Sequence, residues 1–382
     1  MRLEVESRFL RVLQHAEGFP SASFAMALVV AGIGLVFVHS ATLGSDEFAG
    51  QAAKQAVAIF ASAVVAVAIA FVPRTFWLRN AFTLFCIVLL ALALLPWFGV
   101  TINGARRWYG IGSATVQPTE FAKPILVLAL ARWLRLRSRG GFVEVVLVPL
   151  FLTLLPMYLT VRQPDLGSSL SMLPILFAMS WVAGARALHL VATLGLGLLG
   201  LVLVLPFLQG YQLERIAIWL GQNDLTSAEL RGAGYQLMQS LIAIGSGGIE
   251  GDGLFEGLQN RYDFLPYRST DFLFAVIAEE TGFRGALAVI LLYTFFSLTI
   301  LACAYRLRDR FGRLLAAGVA AYFATHLFIH VGVCTGLLPP TGLPLPLMSY
   351  GRSSVASAWL AIGLVGHAAM SRPRDLSDDA IR

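Results

Sequence analysis

The stretch DFLFAVIAEETGFRGALAVILLYTFFSLTILACAY, residues 271–305, decides how this chain must be read. As one helix its 35 residues would extend about 52 Å at 1.5 Å per residue, well beyond a hydrocarbon core of about 30 Å. Its first half carries Glu279, Glu280 and Arg284. Charged membrane segments persist only where they are buried in protein or line a water-filled space. The expectation is therefore a span whose first half lines a cavity opening outward.

Other apolar runs flank it on both sides. They fall near residues 21–42, 55–73, 80–98, 120–134, 142–160, 167–184, 187–207, 314–336 and 353–370, which makes ten spans in all. Composition agrees: 57% of the 382 residues are hydrophobic and 13% charged, and the mean hydropathy is +0.75. Soluble globular chains are nearer half apolar and a quarter charged. The fold class expected is an all-α polytopic membrane protein. A long extracytoplasmic segment, 208–270, separates spans seven and eight. The expected organisation is a cytoplasmic N-terminal segment 1–20, a transmembrane domain 21–370 and a cytoplasmic tail 371–382. No cleavable signal peptide is expected, because the first apolar run follows about 20 polar residues and is long enough to remain a span.

The net charge of +6 suggests an anionic partner only until the basic residues are placed. Assigned to alternating loops, 17 fall on one side and nine on the other. Positive loops stay cytoplasmic, so both termini are expected inside. The opposite side carries the long segment, with Gly245-Ser246-Gly247-Gly248 and Gly251-Asp252-Gly253, which no regular helix tolerates well. Within it, Leu237–Ile244 is expected to lie on or dip into the membrane surface. Cys86, Cys303 and Cys334 are too scattered for a disulfide framework or metal cluster. The six histidines show no ligand spacing.

Ionisable groups inside membrane segments cost a few kcal/mol each, so their positions are informative. Glu120 and Lys123 open the fourth span, Asp165 precedes the sixth, and Asp271 precedes the eighth. Arg106 and Arg107 sit in an outer loop where the positive-inside rule disfavours them. That placement points to an anionic partner such as a diphosphate, which arginine forks bind bidentately. Each has a plainer reading as well. Glu120 and Lys123 could neutralise each other, Asp165 and Asp271 could be helix caps, and the arginines could contact lipid headgroups.

Five strings, in order, carry a resemblance: NGARRWYGIG (103–112), QPTEFAK (117–123), RQPDLGSSL (162–170), FLPYRSTDFLFAVIAEETGFRG (264–285) and GLLPPTGLPLPLMSYGRSS (336–354). Together they resemble the SEDS family, the RodA/FtsW/SpoVE proteins, over about residues 20–370. RQPDLG and the compact termini lean toward the RodA branch. The resemblance implies a ten-span fold with an outward cavity. It also implies a peptidoglycan glycosyltransferase that polymerises lipid II for elongation, shape or division. Class B penicillin-binding proteins and other elongasome or divisome membrane proteins are the implied partners. Asp271 matches the family's essential acid, and Asp165, Arg106, Arg107, Glu120, Lys123 and Ser349 match its binding positions. Three departures lie around that site. Pro266-Tyr267-Arg268-Ser269 replaces Pro-Glu-(Arg/Ala)-His, Arg352 replaces a glycine, and His330 stands near an expected asparagine before Gly332.

An inverting displacement at a lipid-linked diphosphate needs one general base and charge stabilisation. Asp271 suits the base. Arginines, or Mg²⁺ or Mn²⁺ held by Asp165, suit the charge stabilisation. No nucleotide or nucleic acid is expected. The alternatives are a lipid II flippase, which favours polar groups near the bilayer midplane, and a non-catalytic scaffold for a penicillin-binding protein.

Overall fold

The computed structural model describes residues 19–43, 48, 50–102, 104–112, 114–137, 141–204, 210–221 and 232–371. The N-terminal residues through 18, the tail from 372, and parts of the long segment lie outside the described residues. So do the arginines assigned there.

All ten expected spans are helical. They are α1 (Ser21–Thr42), α2 (Gln51–Ala70), α3 (Arg74–Phe98), α4 (Pro118–Leu134), and α5 (Val148–Val161) after a π-helical turn at Val143–Leu147. The pair α6 (Leu166–Leu170) and α7 (Met172–Val182) follows, then α8 (Ala187–Val204). Between α8 and the eighth span lie the short helices α9 (Gly210–Leu220), α10 (Ala233–Ser246) and α11 (Leu258–Arg261). The chain closes with α12 (Leu273–Arg306), α13 (Arg310–Cys334) and α14 (Arg352–Met370). Seven of these segments are long and apolar enough to cross a membrane by length and composition.

In a lipid environment helices associate through close packing of small residues more than through apolar burial. That rule locates the centre of the bundle. The apolar windows of α13 and α14 are 72% and 78% buried within the protein, against 17% for α2. A side chain at Gly363 of α14 would strike the backbone of Ala66 on α2, and one at Gly318 of α13 would strike Met179 on α7. The aromatic rings of Phe296 and Phe323 lock α12 to α13 at 4.8 Å between centroids. At the other end of α12, Arg74 clasps Asp309 through two bonds of 2.5 and 2.9 Å.

The 271–305 stretch resolves its length problem differently from the expectation. Helix α12 is broken at Gly282, whose φ of 64° and ψ of −168° no helix contains. Only Phe283–Arg306 needs to cross, about 36 Å of helix. The first piece, residues 273–280, is buried throughout, and the cavity described below is lined by Asp271 and Phe272 just ahead of it. A break orphans backbone groups on both sides, and the glycine-rich segment supplies their partners. Asp252 and Gly253 N–H donate to the Glu279 and Glu280 carbonyls at 3.0 Å each, and Phe283 N–H donates to Gly248 O at 2.8 Å. The approach is so close that a Cβ on Gly282 would lie 2.5 Å from the Ile249 and Gly251 backbone. Glu280 accepts from the Ser40 hydroxyl, and Glu279 accepts from Gln259 N–H at 2.7 Å. Leu237–Ile244 falls inside α10, which is about 21 Å long and packs against α12.

One element adds to the helical reading. Residues 100–116 form a three-stranded antiparallel meander, with β1 (Val100–Ile102), β2 (Ala105–Ile111) and β3 (Ala114–Val116).

Candidate functional site

The polar loops converge on a cavity of about 650 Å³ at one end of the bundle. Its walls come from β2 and β3, the start of α4, the α5–α6 turn, α9, the turn before α12, and the 340–354 loop. Arg107, Arg215, Arg352, Glu120, Asp165 and Asp271 all reach it.

Asp271 sits two residues ahead of α12, outside the membrane-spanning helix and half-buried against the cavity. The turn that presents it closes on one acceptor: the N–H groups of Thr270 and Asp271 both donate to Tyr267 O at 3.0 Å. Tyr267 adopts a left-handed φ of 53° to allow this, a conformation that costs a non-glycine residue about 1–2 kcal/mol and that gathers at functional sites. Burial pushes the Asp271 carboxyl up to about 6. Arg215 pulls against that rise, Asp165 adds to it, and the Thr270 hydroxyl and Arg107 pull down again. A carboxylate so placed is a stronger proton acceptor than an ordinary one yet stays largely ionised at neutral pH.

Asp165 both caps and faces the cavity. Its Oδ1 accepts from Ser168 N–H at 3.1 Å, starting α6, and its Oδ2 lies 3.4 Å from the Gln117 amide. The two expected arginines part company because β2 is a strand, and successive side chains leave a strand on opposite faces. Arg107 points to the cavity, donating through Nε to Gln163 O at 2.9 Å and through a terminal nitrogen to Pro164 O. It thereby steadies the turn that holds Asp165. Arg106 is exposed on the other face, bonded to Thr101 Oγ1 at 3.1 Å and Pro96 O at 2.9 Å. It does not join the site, contrary to the sequence expectation.

Lys123 is also displaced from the expected role. It is fully buried, 2.6 Å from Glu120 Oε1 and 3.0 Å from His326 Nε2. Glu120 reaches the cavity, and Lys123 neutralises it from behind. His326 Nδ1 faces the Tyr322 carbonyl at 2.9 Å. A carbonyl only accepts, so Nδ1 carries the proton and Nε2 takes the lysine's hydrogen bond. Ser349 is buried too, its Oγ accepting from Leu345 N–H at 2.9 Å. It shapes the 340–351 loop and is not among the residues that line this cavity.

The departures from the family pattern are built in rather than left over. Arg268 donates to Ala41 O at 2.6 Å, pairs with Asp263 and lies over the Phe48 ring. Ser269 Oγ donates to Gln51 Oε1 at 3.1 Å. His330 Nδ1 lies 2.9 Å from Leu343 O, and by the same carbonyl argument it donates. Leu343 adjoins Gly342, where a Cβ would sit 3.4 Å from Asp271 Oδ2. His330 thus holds the loop that backs the carboxylate.

Sequence reasoning passed over Arg215 and Gln117 as site residues. Arg215 donates to Pro340 O at 2.7 Å and exerts the largest charge influence on Asp271. The signal was available, since Arg215 falls in the long segment expected on the side where arginine is disfavoured. Among the described residues no group of three or more His, Cys, Asp or Glu could hold a metal. An all-protein cage therefore does not fit. Asp165 and Asp271 both line the cavity, and Mg²⁺ is usually held by one or two carboxylates with water and substrate phosphate rather than by such a cage.

Fold and cavity together define a class: multi-pass helical membrane proteins that gather charged groups in a cavity at one end of the bundle. Within it, the chain belongs to the FtsW/RodA/SpoVE cell cycle protein family, whose profile matches residues 21–373. It is 36% identical to the Bacillus subtilis stage V sporulation protein E over 73% of this chain and 75% of that one. It is 36% identical to the Escherichia coli K12 peptidoglycan glycosyltransferase MrdB (79% and 81% covered). It is 34% identical to a probable peptidoglycan glycosyltransferase FtsW of Idiomarina loihiensis (90% and 85% covered). Two solved structures share the fold. A chain of a peptidoglycan synthase complex superposes with a TM-score of 0.77 at 30% identity, covering 92% of this chain and 97% of that one. Thermus thermophilus RodA superposes with a TM-score of 0.69 at 29% identity, covering 93% and 98%.

Proposed function

We propose that the protein is a peptidoglycan glycosyltransferase that polymerises a lipid-linked disaccharide, lipid II, into glycan strands and releases undecaprenyl diphosphate. The observation that carries this reading is Asp271, a carboxylate raised toward neutrality at the wall of a cavity that also holds three arginines. Membership of the family supports it.

Asp271 takes the proton from the sugar hydroxyl that attacks the anomeric carbon, a step worth on the order of 10²–10⁴-fold. The anomeric C–O bond to the diphosphate breaks as the new glycosidic bond forms, with inversion and no covalent enzyme intermediate. Arg215 and Arg107 keep Asp271 ionised, and Arg107 also fixes the Asp165 turn. A divalent cation, Mg²⁺ or Mn²⁺, bound at Asp165 would neutralise charge on the diphosphate. The apolar surfaces between helices accommodate the polyprenyl tail.

The charge asymmetry of the loops supports a bacterial inner-membrane location with both termini cytoplasmic and the cavity facing outward. The likeness to a chain of a peptidoglycan synthase complex supports a class B penicillin-binding protein as partner, within an elongation or division assembly.

The test is purified protein with lipid II, with and without the partner, resolved for glycan strands on a gel. Strands from the purified protein are expected. Movement of labelled lipid II across vesicles without strand formation would instead establish a flippase, and neither activity a scaffold.

A further inference from the structure

Helix α14 opens directly into the cavity, and no side chain caps its first turn. It begins Arg352-Ser353-Ser354 after Gly351, and all four residues line the cavity. An uncapped helix end presents orphan N–H donors and partial positive charge. The contrast with α6 and α13 is plain, since Asp165 and Asp309 close those ends with carboxylates.

A second observation comes from Ser354. It is 3% exposed, and its Oγ has no hydrogen-bond partner among the described residues. Buried hydroxyls nearly always find one. Its neighbour Ser353 is already engaged, accepting from Gln117 N–H at 3.0 Å and donating to Thr115 O at 3.3 Å. Ser354 therefore has a hydroxyl to offer at the cavity wall, one turn into the helix.

The donors gathered here are a guanidinium, helix N–H groups and a hydroxyl. That set suits an anion with several acceptor oxygens. Of the acidic groups in the same cavity, Glu120 is held 2.6 Å from Lys123 and Asp165 accepts from Ser168 N–H at the start of α6. Arg352 is the first residue of this helix and brings a guanidinium to its cavity end.

We propose that the N-terminus of α14, with Arg352 and Ser354, is an anion subsite that holds a phosphate of a diphosphate group. The proposal rests on the reading of the cavity as the seat of a diphosphate-linked substrate. It moves the anion contact away from Arg106, whose side chain leaves on the far face of β2.

The experiment is calorimetric titration of the full-length protein in detergent with inorganic diphosphate, without added divalent cations. Saturable binding is expected. Arg352→Gly, which restores the family residue, should weaken it roughly tenfold, with Arg352→Lys between because lysine lacks the fork. Ser354→Ala should weaken it about three- to tenfold. Arg106→Gln should bind as the parent does, and thermal melts establish that each variant is folded. Parent-like binding by both folded Arg352→Gly and Ser354→Ala overturns the subsite, as does absence of saturable binding in the parent protein. The readout needs no turnover. A parent protein that forms glycan strands while both variants bind normally sinks the subsite alone. Diphosphate binding through Arg352 in a protein that forms no strands supports the subsite and sinks the glycosyltransferase reading.

Discussion

The raised carboxyl of Asp271 should set the pH dependence of polymerisation. Its folded value is about 6, so about one tenth of the protein is ionised there at pH 5 and about nine tenths at pH 7. A base acts only when ionised, so the rate should rise about tenfold between those limits and level off above about pH 7.5. Arg215 is the first of the charges that pull the value down. Arg215→Gln should therefore move the midpoint upward, lowering the rate near pH 6 more than at pH 8. The same shift has a stability consequence of definite sign. A carboxyl raised from 3.8 to about 6 binds its proton more tightly when folded, so this group's contribution to stability is fullest below pH 4 and is lost as pH rises through 6. At about 1.4 kcal/mol per unit, the loss at pH 7 is at most about 3 kcal/mol, reduced because the side chain faces cavity water. Asp271→Asn should melt at a higher temperature than the parent at pH 7, and the gap should close at pH 4. The assays are initial-rate strand formation from pH 5 to 8.5 and thermal melts over the same range. A flat rate profile, or a midpoint unmoved by Arg215→Gln in folded protein, would refute the assignment.

Other perturbations test separate parts of the structure. Gly282→Ala should destabilise by about 2–5 kcal/mol, because it adds a left-handed penalty to a steric clash with the 249–251 backbone. Gly32→Ala, with nothing within 4 Å, should be near neutral, and equal melting temperatures for the two would contradict the broken-helix account. His330→Asn places an amide N–H where Nδ1 now donates and should keep activity within about twofold. His330→Leu leaves Leu343 O unpaired and should lower the rate roughly tenfold in a protein that still folds, so an unaffected leucine variant would remove His330 from its positioning role. For orientation, single cysteines at Arg135 or Arg137 should resist a membrane-impermeant thiol reagent in intact cells with a permeable outer layer, whereas one at Glu250 should react. The reverse labelling pattern would invert the topology.

The ten helical runs were legible because hydropathy needs no tertiary information to register an apolar stretch bounded by charge, and seven of them are long and apolar enough to cross a membrane. The small sheet at 100–116 was not, because three short strands inside a loop leave no periodic signal strong enough to separate from turn chemistry. That omission had a consequence: read as a loop, Arg106 and Arg107 were equivalent, whereas the strand sends them to opposite faces. Asp271 and Asp165 were found because each precedes a span as a lone carboxylate. Arg215 was missed because it lies in a segment with no regular pattern, and its proximity to Asp271 arises only when α9 folds back over the cavity. The break at Gly282 was also hidden. A lone glycine in a helical run is usually tolerated, and only the backbone of residues 248–253 makes this one obligatory. Ser349 and Lys123 matched the family motif yet turn inward to hold the loop and to neutralise Glu120. Identity with a motif reports that a position matters without saying which face it serves.

The central claim is that Asp271 is the general base of glycan polymerisation, and one substitution tests it most directly. Asn is nearly the same size as Asp and can still serve at a helix start, so Asp271→Asn removes the base while sparing the local structure. The measurement is strand formation from lipid II by the purified variant with the proposed penicillin-binding partner, alongside melting temperature and binding of lipid II. The expected result is a protein that folds, binds its partner and binds substrate, yet forms strands at least a hundredfold more slowly. Near-normal polymerisation by a well-folded Asn variant would contradict the claim and take Asp271 out of the mechanism.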